Sequence, residues 1–262
     1  MNETNKNIFP YILLSYSIAW GAWGAGAMYE GLGGIALVIG TFAPAVSAVV
    51  VSGLRGGRKG MALPIRGLAR WRVGWQWYAF SLLCTAAVVS LAIGIHNLYG
   101  GALEWPLGLQ DAWMVPVIMA YVFMFSALGE EIGWRGFMLP SLLKHYSPLK
   151  SSLVVALVWG AWHLPLFFIA GNFHSYIPIW LFMSQILPFS IIYTWMYLNT
   201  GGSVFIATLF HAASNATLGM LPVLPQQSEG SFQPLSISIV LLYVVATIVL
   251  AKEGKMFLGN GK

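Results

Sequence analysis

The chain has 262 residues, of which 58% are hydrophobic, 15% aromatic and only 8% charged, with a formal net charge of +5. At a mean hydropathy of +0.74 it is far too apolar for a soluble globular enzyme, and a single cysteine, Cys84, excludes an intrachain disulfide framework. The positive charge does not point to nucleic acid, because it is dispersed between apolar runs of membrane-spanning length.

Runs of about 17–25 apolar residues are long enough to cross a bilayer as helices. They are predicted at 8–28, 35–53, 75–96, 112–139, 151–170, 177–198, 203–221 and 234–251. The first run follows a lone Lys6 and lacks a clear small-residue cleavage site, so it reads as a span and not as a removed signal. After the second comes the basic linker "RGGRKGMALPIRGLARWR", followed by Trp75 and Trp77. An ordinary topogenic loop is the simpler reading of this linker, and an anionic-lipid or interfacial helix the alternative. With the N-terminus inside, all 13 Lys and Arg fall on inside segments, while Glu30, Glu104, Asp111 and Glu229 fall outside. The positive-inside rule then predicts an all-α, single-domain, multi-pass protein over 1–262, with eight spans in the cell membrane and both termini cytoplasmic.

Ionisable groups within spans are costly and carry a functional expectation by default. The fourth span holds Glu130, Glu131 and Arg135, the fifth His163, and the seventh His211 with Asn215. His96, His145 and His174 fall at span ends or in loops and are expected to be solvated. At 1.5 Å per residue from the basic end, His211 lies about 12 Å deep, Glu130 about 14 Å and His163 about 18 Å. The predicted site is therefore shared by three spans in the cytoplasmic half. Glu131 and Arg135 are i and i+4, about 40° apart on a helix, and pair with the glutamate in the favourable N-terminal position. Glu130 points about 140° from Arg135 and stays free to face a cavity. His211 and Asn215 share a face, and Trp159, one turn before His163, can wall the same space.

A carboxylate held near a neutral histidine can take a proton from water and pass it to a leaving amine. A histidine and an asparagine donating to a carbonyl oxygen would form an oxyanion hole. These are the parts of peptide hydrolysis by water, with no cofactor. The chain contains no His-Glu-x-x-His and no Gly-x-Ser-x-Gly. Asp111 is its only aspartate, so an aspartate dyad is excluded. A zinc site of Glu130, His163 and His211 remains the alternative chemistry. A small-solute transporter, or polar groups that only cross-link helices, would use the same residues without hydrolysis.

Three motifs, "EEIGWR" at 130–135, "WGAWH" at 159–163 and "HAASN" at 211–215, resemble those of the CPBP family. This family holds the type II CAAX prenyl endopeptidases and their abortive-infection and bacteriocin-immunity relatives. The resemblance covers about 115–220, with Trp159 standing where the family usually has Phe. It implies an intramembrane glutamic-type endopeptidase in which Glu130 and His163 activate water and His211 and Asn215 hold the oxyanion, while helical spacing makes Glu131, Arg135 and Trp159 their supports. The substrate would be a peptide or protein terminus, with or without a lipid, that enters laterally or from the cytoplasmic side. A non-catalytic immunity or scaffold protein that binds a peptide is the alternative.

Overall fold

The structure, a computed structural model, describes residues 5–29 and 31–259. Glu30 and Lys262, both counted in the charge pattern, lie outside the described residues. Helices follow one another as α1 (Asn5–Met28), α2 (Gly33–Met61), α3 (Trp75–Leu98), α4 (Met114–Val122), α5 (Leu128–Gly133), α6 (Leu139–Leu143), α7 (Pro148–Trp162), α8 (Ile179–Asn199), α9 (Val204–Met220) and α10 (Gln233–Leu258). No strand occurs among the described residues. In hydrocarbon every backbone polar group must be satisfied within its own segment, which leaves helices as the solution for runs this apolar.

Helices α4, α5 and α6 are one continuous span, Met114–Leu143, joined by π-helical turns at Phe123–Ala127 and Trp134–Met138. Among the described residues seven helical segments are long and apolar enough to cross a membrane, and the chain is a multi-pass integral membrane protein. The eighth long helix, α1, spans 24 residues but is not among the seven. Tyr11, Tyr16, Trp20 and Trp23, with three glycines, dilute its hydropathy. Its aromatic side chains instead bind it to the bundle: Tyr16 Oη donates to the Val158 carbonyl at 2.5 Å and Trp20 Nε1 to the Trp162 carbonyl at 2.9 Å.

Two packing devices place the acidic segment. Cβ atoms added at Gly129 and Gly133 would lie 2.5 Å from the Thr41 carbonyl and 2.3 Å from Pro44 Cβ. This small-x-x-x-small stripe lets α5 lie directly against the α2 backbone, the usual route to close packing where lipid removes the hydrophobic drive. On the far side, α7 and α8 are joined by hydroxyls, with Ser152 Oγ donating to Thr194 Oγ1 and Ser190 Oγ to the Ser152 carbonyl, both at 2.8 Å.

The basic linker is ordered structure and not an open loop. It reverses at Gly57, whose φ of +55° favours a residue without Cβ, and forms a 3-10 turn at Arg66–Ala69. Ser203 Oγ donates to the Arg70 carbonyl at 2.7 Å, and Arg70 Nη1 donates to the Gly201 carbonyl, so the linker is tied to the start of α9. Alternation of the spans puts this linker, the α6–α7 connection and the end of α10 at one end of the bundle. With that end cytoplasmic, an impermeant maleimide added to intact cells should label Tyr99→Cys and spare Lys144→Cys in a Cys84→Ala background. The reverse labelling would contradict the orientation.

Candidate active site

The acidic motif sits where the helix is least regular. The two π turns bracket α5, and π turns are rare features found mostly at functional sites. The helix also continues past Pro140 to Leu143, beyond the expected stop at Leu139, because the widened Trp134–Met138 turn accommodates a residue without N–H. Glu130, Glu131 and Arg135 are all buried there.

The expected pair of Glu131 with Arg135 is present. Arg135 Nη1 donates to Glu131 Oε1 at 2.9 Å. His211 Nδ1 lies 2.8 Å from the same oxygen, so its ring donates there from Nδ1–H. Spacing along one helix could reveal only the first of these bonds. Arg135 Nε and Nη2 have no hydrogen-bond partner among the described residues. Instead the guanidinium lies between aromatic faces, 3.8 Å from the Tyr193 ring centroid and 4.7 Å from that of Trp159. The rings attract the cation without requiring a second carboxylate.

Glu130 takes a different partner. Trp159 Nε1 donates to its Oε2 at 2.7 Å, and the indole stands beside both histidines, 6.0 Å from the His163 ring and 5.6 Å from that of His211. The Trp at this position therefore anchors the carboxylate, a contact that a Phe could not make. His163 caps the C-terminus of α7, and its Nδ1–H donates to the Trp159 carbonyl at 2.8 Å. That bond leaves Nε2 as the basic nitrogen.

Glu130, Trp159, His163, His211 and Asn215 line one cavity of about 370 Å³, a size typical of ligand sites. Among the described residues no group of three His, Cys, Asp or Glu side chains is arranged to hold a metal ion. Asn215 lies at the exposed end of the wall, one turn beyond the buried His211.

Two expectations are corrected. His174 and His96 are not solvated: each is 4% exposed, while His145 alone is exposed. His96 Nδ1 pairs with Gln233 Oε1 at 2.7 Å. His174 reaches the cavity because the α7–α8 connection folds inward as a 3-10 turn capped by Asn172, which accepts from both the His174 backbone N–H and Nδ1. Its ring lies 5.2 Å from His163. No periodicity marks an irregular connection, so only the Asn-x-His spacing hinted at it. The second correction concerns the mouth. The cavity walls come from the first half of α2, the first half of the α4–α6 span, the α7–α8 connection and the second half of α9. These lie at the end opposite the basic connections, so the site does not open toward the basic end. Depths counted at a fixed rise reach the middle of the bundle but cannot tell which way a cavity opens from there.

Residues 112–217 match the family described as Type II CAAX prenyl endopeptidase Rce1-like. All seven residues expected at the site fall within the matched segment. The chain is also 30% identical over 185 residues to CAAX prenyl protease 2 of Methanococcus maripaludis, an alignment that covers 67% of this chain and 65% of that protein. The chain thus spans just under two thirds of that relative's length.

Burial, and after it the neighbouring His163, holds the His174 imidazole well below its ordinary value. The folded state keeps it neutral while the unfolded chain protonates near pH 6.5, so stability is lost as pH falls below that point. His174→Gln should flatten the loss between pH 7 and pH 5 by about 2 kcal/mol in thermal unfolding. An unchanged slope would contradict the assignment.

Proposed function

We propose that the protein is an intramembrane endopeptidase of glutamic type that uses water as the nucleophile. The observation that supports this best is the diversion of Glu131 to Arg135 and His211, which leaves Glu130 alone to face the shared cavity beside His163. Similarity to a protein named for CAAX prenyl proteolysis supports the same reading.

Glu130, anchored through Oε2 by Trp159, has Oε1 for a water. The water gives its proton to that carboxylate as its oxygen attacks the substrate carbonyl carbon. His163 Nε2 orients the water and shares the proton. The tetrahedral oxyanion accepts from the Asn215 amide and from His211 Nε2–H. With Nδ1–H already donating to Glu131, His211 donates from Nε2 only as the imidazolium, and the Glu131 and Glu130 carboxylates together offset the charges of His211 and Arg135. Return of the proton from Glu130 to the leaving nitrogen breaks the C–N bond. One peptide bond and one water are consumed, and a carboxylate and an amine leave.

Access is lateral in this reading. Leu37, Tyr121 and Phe125 line the cavity and are exposed on the lipid-facing side, while Thr41 Oγ1 donates to the Phe125 carbonyl at 2.9 Å across the gap between α2 and the α4–α6 span. An apolar or lipidated peptide terminus fits such an opening.

Cleavage of peptides ending in a prenylated and in an unmodified cysteine motif, followed by mass spectrometry, tests the proposal. Glu130→Gln and His163→Ala should each lower turnover by roughly 100-fold or more while elution and melting stay native. Wild-type turnover in either variant would refute it.

A further inference from the structure

A second cavity, of about 460 Å³, occupies the basic end, on the other side of the Trp134–Met138 turn from the catalytic cavity. Arg55, Arg66, Arg70 and Lys144 line it, with no acidic residue among the described lining residues. Phe137 and Pro140 form its apolar floor, with Ser141 and Tyr197 supplying hydroxyls. Arg66, Arg70 and Lys144 around one concave space concentrate anions there.

The cations are held in place by the fold. Arg70 is fixed by its bonds to the start of α9, and Gly67 lies so close to Val204 that a Cβ would meet Val204 Cγ2 at 2.3 Å. The 3-10 turn that carries Arg66 is thereby pinned over the cavity. Arg66 and Lys144 reach it from different connections, are exposed, and have no ion pair among the described residues. The depth of the site relative to the bilayer follows from Trp71 and Trp75. Both are exposed at the start of α3, the position of an interfacial aromatic belt, with Arg72 stacked 4.9 Å above Trp71.

We infer that this cavity is a binding site for a phosphate group, occupied by the headgroup of an anionic phospholipid at the basic face of the bundle. An apolar floor beneath a ring of cations at headgroup level matches a phosphodiester with acyl chains below it, and basic pockets between spans are suited to such headgroups. The site is distinct from the catalytic cavity and does not depend on the proposed proteolysis.

The test uses the whole purified chain in neutral detergent, with phosphatidylglycerol, phosphatidylcholine or inorganic phosphate added, read by native mass spectrometry and melting temperature. Phosphatidylglycerol should stay bound and raise the melting temperature, and phosphatidylcholine should do neither. Arg66→Gln with Lys144→Gln should weaken phosphatidylglycerol binding by roughly thirtyfold, whereas Arg58→Gln with Lys59→Gln, outside the cavity, should leave it unchanged. Should the first pair fail to fold, the charge-preserving pair Arg66→Lys with Lys144→Arg must retain binding and Lys144→Gln alone must reduce it. An equal, variant-sensitive shift with inorganic phosphate alone would support the phosphate site but make its source a free anion and overturn the lipid assignment. Equal binding by wild type and the Arg66/Lys144 variants, or equal losses in both double variants, would overturn the site.

Discussion

The arrangement depends on one carboxylate oxygen. Glu131 Oε1 accepts from Arg135 on its own helical span and from His211 on α9, in surroundings where an unpaired charge would cost several kcal/mol. The guanidinium extends the connection to α7 and α8 through the faces of Trp159 and Tyr193. Four spans are thus joined by one ion pair with its attached histidine and rings. Satisfying Glu131 in this way is what allows Glu130, the next residue, to remain without an ion pair and to line a cavity beside His163.

Packing makes that connection possible. Gly129 and Gly133 bring α5 onto the α2 backbone, and the π turns on either side of α5 adjust the register with which its side chains meet α7 and α9. The same span separates two cavities of opposite character. One is aromatic and lined by histidines, opening away from the basic connections; the other is ringed by cations at the basic end. The Trp134–Met138 turn contributes Arg135 to the buried network on one side, and Gly136 and Phe137 to the cationic cavity on the other.

The sequence made the spans, the polar constellation and the Glu131–Arg135 pair legible, because each follows from a local rule: length of an apolar run, cost of a buried charge, and i to i+4 spacing. The family resemblance of the three motifs agrees with the Rce1-like match over 112–217. What could not be read came from contacts between segments. The Glu131–His211 bond joins residues 80 positions apart, the Trp159–Glu130 bond residues 29 apart, and Tyr193 looked like any apolar-span tyrosine. His174 was placed in solvent because its connection has no period, yet a 3-10 turn folds it against His163. Of the lateral and cytoplasmic routes expected, the cytoplasmic one does not fit the cavity walls, since depth along a helix fixes a level and not an opening.

The central claim is that adjacent glutamates divide support from chemistry. Thermal or denaturant unfolding of Glu130→Ala and Glu131→Ala, each paired with a cleavage assay, tests it most directly. Removing Glu131 should cost about 3–5 kcal/mol by leaving Arg135 buried without its counter-charge, and activity should fall with it. Removing Glu130 should abolish cleavage at a stability within about 1 kcal/mol of wild type. Equal destabilisation by the two, or cleavage that survives loss of Glu130, would contradict the account.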